Sequence, residues 1–147
     1  GCAFDVYNEF KPGLTEHPYQ YGLKHLLGKL GYNVIPEHPL PIYLFGERLE
    51  ESYRMDLVMV RPKEGDIIIE CKAKKCIIDE HRDQLKNYML LTHCPYGILI
   101  NFSKSDQVYS ESYEYDEVTH TVSKMNTRYM GWSVKDTPRP WKSVSKK

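Results

Sequence analysis

The segment Ile67-Ile68-Ile69-Glu70-Cys71-Lys72-Ala73 constrains the fold of this chain more than any other. Its opening run of β-branched residues suits a strand covered on both faces, as the central strand of an α/β protein is. That run nevertheless carries a carboxylate and an ammonium. Side chains alternate along a strand, so Glu70 and Lys72 project from one face while Ile69, Cys71 and Ala73 take the other. Burying two ions costs several kcal/mol each before their attraction offsets it, which leaves a structural ion pair or a metal site with an adjacent cation.

A further acid lies within reach. Tyr53 to Val60 reads as the preceding strand, with Asp56 the single acid of that stretch, and it ends a turn's length before Ile67. Pairing of the two strands brings Asp56 to Glu70. Two carboxylates repel unless a divalent cation sits between them, and oxygen-only ligation suits Mg²⁺ or Mn²⁺.

Around these strands the periodicity predicts three helices. Ala3, Val6, Tyr7 and Phe10 fall at helical spacing before Lys11-Pro12-Gly13 breaks the pattern. A helix N-capped by Thr15 carries a stripe of Tyr19, Leu23, Leu26, Leu27 and Leu30 and stops at Gly31. Glu16 lies on that stripe and faces inward, although a carboxylate at a helix start is by itself often only a partner of the dipole. The third helix runs from Asp79, as N-cap, to about Thr92, with His81, Gln84, Leu85 and Tyr88 on one face.

Val34-Ile35, Pro41 to Phe45 and Tyr53 to Val60 read as a meander of short strands separated by prolines and Gly46, and Tyr96 to Phe102 as a buried strand. Beyond Ser103, Gln107 to Tyr115 and then Val118, His120 and Val122 alternate at period two, as a partly exposed hairpin turning at Asp116-Glu117 does.

At 147 residues the chain has room for one core and too little length for two ordinary domains. It has no apolar run long enough to span a bilayer, and GCAFDVYNEF lacks the basic-then-apolar layout of a signal peptide. The chain therefore reads as intracellular, in cytoplasm or nucleus alike, with no membrane partner. Cys2, Cys71, Cys76 and Cys94 read as reduced thiols, and a zinc site from Cys71, Cys76, His93 and Cys94 lacks good tetrahedral spacing. Net charge is zero but uneven: residues 124–147 hold 7 Lys and Arg against 1 acid, and the preceding 123 hold 13 against 19. Such a tail suits a phosphate backbone or a solvated terminus equally.

Six short motifs, in order, resemble the GxxExxY proteins, a branch of the PD-(D/E)xK nuclease-like superfamily. Gly13-Leu14-Thr15-Glu16-His17-Pro18-Tyr19 fits the name-giving motif, and Pro41-Ile42-Tyr43 with Gly46 its strand and turn. Tyr53-Arg54-Met55-Asp56 fits YRxD, Glu70-Cys71-Lys72-Ala73 fits ExKA, His81 to Tyr88 fits HxxQLxxY, and Gly97 to Phe102 resembles GLLINF. Cys71 replaces the usual aliphatic residue, Arg61 to Asp66 is longer than usual, and nothing after Ser103 belongs to the pattern.

The resemblance, over about residues 3 to 103, implies an α/β, restriction-endonuclease-like core. A mixed central sheet flanked by helices is expected over 1–103, and 104–147 is expected to add a tyrosine-rich hairpin and basic extension to the same domain. It implies a Mg²⁺- or Mn²⁺-dependent nuclease with Asp56, Glu70 and Lys72 as the catalytic set and Glu16 and Gln84 completing it. Asp56, Glu70, the Cys71 carbonyl and Glu16 would hold the ion, and Lys74, Arg82 and Tyr88 would contact the substrate, a nucleic acid with DNA favoured over RNA. Nucleases that cut both strands often pair two sites, so a homodimer is open. The alternative is a nucleic-acid-binding or protein-interaction module that keeps the fold without turnover.

Overall fold

The computed structural model describes residues 1–103 and 107–131, with 51, 52 and 128–131 described by their backbone alone. The basic tail from residue 132 on, with Trp132, Trp141, Pro138 and Pro140, lies outside the described residues. Element order is α1 (Cys2–Phe10), α2 (Glu16–Lys29), β1 (Asn33–Leu44), β2 (Glu47–Val60), β3 (Ile67–Lys72), α3 (Asp79–Thr92), β4 (Tyr96–Phe102), β5 (Gln107–Asp116) and β6 (Thr121–Gly131). Among the described residues no helix is long and apolar enough to cross a membrane.

The strands form one mixed sheet in sequence order, β1-β2-β3-β4-β5-β6. Among the described strands only β3 and β4 run parallel, because α3 carries the chain from one end of the sheet back to the other between them; the other neighbour pairs described are antiparallel. β3 is thus central, and its alternation separates two cores. Ile69 and Cys71 join Leu57, Met59, Ile100 and Phe102 under α1 and α2, while Ile68 joins Val58 and Leu99 under Leu85, Tyr88 and Met89 of α3. Gly97 lets α3 approach: a Cβ there would lie 2.5 Å from Met89 Sδ and 3.0 Å from Leu85 Cδ1.

Three local expectations change. The three short extended pieces before Arg61 are two long strands of one hairpin, because Pro36, Pro39 and Pro41 sit on the edge strand β1, where a missing N–H is tolerated. Asp79 is the first helical residue and Ile78 is the N-cap; the His81 ring accepts the Ile78 N–H at 3.2 Å, and Asp79 accepts from Arg82 instead. In the last hairpin Val118 and His120 belong to the turn, where Asp116 Oδ1 accepts the Val118 N–H at 2.8 Å, Val118 is 95% exposed and His120 has φ 52°. Thr15 stands at the N-cap position of α2 without a side-chain capping hydrogen bond, and Gly31 closes that helix at φ 94° with the Tyr32 N–H on the Leu27 carbonyl.

Candidate active site

The β2–β3 ladder ends at Leu57↔Ile69, whereas the β3–β4 ladder continues to Lys72↔Asn101. β2 and β3 therefore part just where Asp56 and Glu70 stand, and the two acids fill the gap with their side chains. The Asp56 N–H donates to Glu70 Oε2 at 2.7 Å, and Asp56 Oδ2 accepts the Cys71 N–H at 2.8 Å. Among the described residues no hydrogen bond engages the other oxygens, Asp56 Oδ1 and Glu70 Oε1, which can take another ligand. A strand residue turns its N–H and C=O to the same side, so the Cys71 carbonyl also faces β2.

Glu70 is 3% exposed. Burial first, and then the charge of Asp56, pushes its carboxyl up to about 8, against the opposing pull of the Asp56 N–H and Lys72. Burial likewise raises Asp56, and the charges of Glu16 and Glu37 add to the rise. The Cys71 thiol, fully buried on the opposite face, is raised well above the ordinary range by burial, which makes it inert.

Lys72 leaves β3 on the Glu70 face and donates from Nζ to Gln84 Oε1 at 3.2 Å. Gln84 in turn donates to the Tyr88 hydroxyl at 3.0 Å, and Tyr88, 3% exposed, packs on Tyr53. The ring stands behind Gln84 rather than at the surface; burial, then the charge of Glu70, pushes its hydroxyl up to about 12. The ammonium is thus held by a carboxamide whose own donor is already engaged. The His81 ring is lowered, by burial and then by the positive charge of Lys72.

The opposite wall comes from the turn before α2. Tyr19, wholly buried and stacked on Phe102 at 4.7 Å, donates its hydroxyl to the Lys11 carbonyl at 2.5 Å and accepts the Leu14 N–H at 3.3 Å. That clamp, with Gly13 at φ 111°, fixes the Lys11-to-Leu14 turn and hence the start of α2, where Glu16 stands. Glu16 pairs with Lys74 at 3.8 Å across a cleft of about 420 Å³ that Gly13, His17 and Ala73 also line. Asn101, 2% exposed, holds the Lys74 backbone from both sides, accepting its N–H at 2.9 Å and donating to its carbonyl at 3.0 Å.

The structure thus gathers Asp56, Glu70, Cys71, Lys72, Gln84 and, at the cleft's edge, Glu16 and Lys74. It does not bring Arg82 to them. That guanidinium crosses to β5, where Glu111, wholly buried, takes its Nε at 2.9 Å and its Nη2 at 2.9 Å, with Tyr113 donating at 2.5 Å and Tyr109 closing the network. Two residues unmarked by the sequence do stand beside Asp56. Gln20 recurs four residues after Glu16 on α2, a spacing that signals a shared face; Glu37, between Pro36 and His38, carries no such signal.

Among the described residues no three His, Cys, Asp or Glu gather closely enough to hold a metal ion by side chains alone. Two carboxylates are nonetheless a sufficient protein set for Mg²⁺, which keeps several waters and binds through one or two carboxylates. A pair of acids, Glu70 buried and Asp56 half-buried, that stand against each other in this gap fits such an ion.

The mixed sheet with helices on both faces is a restriction-endonuclease-like α/β fold. A sequence model of the PD-(D/E)XK nuclease superfamily matches residues 1–112, and the chain belongs to that superfamily. Among solved structures it is similar in fold to the crystal structure of SSO0001, with TM-score 0.52 and 22% identity over 71% of this chain and 54% of that one. The chain thus spans about half the length of that structure. No curated protein matches the chain.

Proposed function

We propose that the protein is a divalent-metal-dependent nuclease of the GxxExxY type that hydrolyses phosphodiester bonds, in DNA in preference to RNA. The observation that carries this reading is the gap between β2 and β3, where Asp56 and Glu70 meet beside an ammonium held by Gln84. Asp56, Glu70 and the Cys71 carbonyl would hold Mg²⁺ or Mn²⁺, with Glu16 assisting from the cleft's edge. A bound cation of this kind supplies charge neutralisation at the scissile phosphate and acidifies an attacking water.

Lys72 orients that water and stabilises negative charge as it develops on the phosphate. Gln84 keeps the Lys72 ammonium on the Glu70 side of the strand. Lys74, which is half exposed and whose backbone Asn101 fixes, is placed to take a neighbouring phosphate on exchange from Glu16. Tyr88 supports Gln84 from behind.

The test is a panel of labelled single-stranded, double-stranded and branched DNA, together with RNA, incubated with Mg²⁺, Mn²⁺ or EDTA. Cleavage of DNA that EDTA abolishes supports the reading and names the substrate. Binding of nucleic acid without cleavage in any metal would instead make the chain a binding module on the nuclease fold.

A further inference from the structure

Gln20 and Glu37 have no part in the mechanism above, yet both touch the strand that carries Asp56. Gln20, 1% exposed on α2, donates from Nε2 to two oxygens at once: Glu37 Oε1 at 3.1 Å and the Asp56 carbonyl at 2.9 Å. The Asp56 peptide groups are therefore bonded to side chains at both ends, the N–H to Glu70 and the C=O to Gln20.

Glu37 stands across the β1–β2 ladder from Asp56, between the pairs Pro36↔Leu57 and His38↔Met55, and takes φ 51° there. Left-handed backbone is unfavourable for a residue with a Cβ, and such strain inside a strand persists only where surrounding contacts impose it. Here its result is to bring the carboxylate to the Gln20 carboxamide, with the His17 ring at 3.5 Å from the same Oε1.

A carboxamide has one acceptor end and one donor end. Glu37 Oε1 and the Asp56 carbonyl are both acceptors, so together they fix Gln20 with its NH₂ toward the site. We propose that Gln20 and Glu37 are positioning residues for Asp56: Glu37 orients the Gln20 amide, Gln20 holds the Asp56 carbonyl, and the pair sets where the Asp56 carboxylate meets the cation. This rests on the reading of Asp56 and Glu70 as cation ligands.

The experiment compares Gln20→Leu, Glu37→Ala, Glu37→Gln and Asp56→Ala with wild type in the full chain. It measures Mn²⁺ binding by electron paramagnetic resonance without nucleic acid, amide exchange at Asp56 and Cys71 in the cation-free protein, and thermal unfolding. Gln20→Leu and Glu37→Ala are expected to weaken Mn²⁺ binding by about ten- to a hundredfold and to speed exchange at both amides, whereas Glu37→Gln, which keeps an acceptor for Gln20, stays within about threefold. Should Gln20→Leu fail to fold, the less buried Glu37 variants decide the matter.

Wild-type Mn²⁺ affinity and amide exchange in Glu37→Ala would overturn the positioning role. A Glu37→Gln variant as weak as Glu37→Ala would overturn it too, since charge alone would then account for the effect. If wild type binds Mn²⁺ and Asp56→Ala does not, an unchanged Glu37→Ala removes only this inference. If wild type binds none, or Asp56→Ala binds as wild type does, the cation reading falls and the positioning role with it.

Discussion

Asp56 and Glu70 are tied to each other's strands: Glu70 Oε2 accepts the Asp56 N–H at 2.7 Å, and Asp56 Oδ2 accepts the N–H of Cys71, the residue after Glu70, at 2.8 Å. Each carboxylate takes the place of a ladder bond that diverging backbones no longer make. These bonds bridge the gap at the cost of setting a buried acid, Glu70, against a half-buried one, Asp56.

That cost sets a pH dependence. The Glu70 carboxyl is raised to about 8, first by burial and then by the charge of Asp56. Between the ordinary carboxylate range and that value the folded chain holds a proton on Glu70 that the unfolded chain has lost, so the contribution of Glu70 to stability is greatest in acid and is lost as pH rises through about 8. In EDTA, Glu70→Gln should match wild type at about pH 5 and exceed it at about pH 9 in urea denaturation. Saturating Mg²⁺ should narrow that gap, because wild type gains about 2.7 kcal/mol at a hundredfold excess over Kd and the variant gains less. A variant whose pH profile parallels wild type would show that Glu70 is not the titrating group.

A second dependence has the opposite sign. Burial alone would raise Glu111, but hydrogen bonds from Arg82, Tyr109 and Tyr113 more than offset it and hold the carboxyl at about 2. Its contribution is present above the ordinary carboxylate range and is lost as pH falls toward that value. Arg82→Ala removes the guanidinium from a wholly buried carboxylate, leaving it Tyr109, Tyr113 and the Lys124 ammonium at 3.7 Å, and should cost about 3 kcal/mol at neutral pH, a penalty that narrows in acid once Glu111 is protonated. Chemical denaturation at neutral and acid pH checks both the size and the narrowing. An Arg82→Ala loss equal at both pH values would count against this network.

Much of the site was legible because it depends on strand parity. Glu70 and Lys72 share a face by position alone, and Asp56, the single acid between Tyr53 and Val60, came within reach of them once the strands paired. The β-branched opening of β3 placed it at the centre, and the Gln84 spacing put that amide on one helix face with His81 and Tyr88, while only the family resemblance assigned it to the site. What escaped depends on backbone detail that residue type does not encode. Prolines looked like breaks in β1 because the sequence does not announce an edge strand, and nothing about Glu37 signals a φ of 51°. Glu111 shares its parity with Tyr109 and Tyr113, so its burial was open to inference; its acidity masked it. Arg82 appeared to serve the substrate for the same reason, its partner lying 29 residues away.

The tip of the β1–β2 hairpin carries a third expectation. Phe45 is 98% exposed and takes φ 49° beside Gly46 at φ 82°, in a two-residue loop closed by Leu44↔Glu47. Both loop positions favour Asn, Asp or Gly, and the aromatic ring gains no burial there. Phe45→Asn should therefore stabilise the protein by about 1 kcal/mol in thermal or urea unfolding. A loss of stability would mean that the ring has packing partners in solution.

The most direct measurement pairs Mn²⁺ binding with single-turnover cleavage of the preferred nucleic acid in wild type, Asp56→Ala and Lys72→Ala, each checked for folding. Asp56→Ala should lose both, whereas Lys72→Ala should keep the cation and lose cleavage by about a hundredfold or more. Cleavage at wild-type rate in either variant, or binding of Mn²⁺ by Asp56→Ala at wild-type affinity, would contradict the assignment of this gap as the active centre.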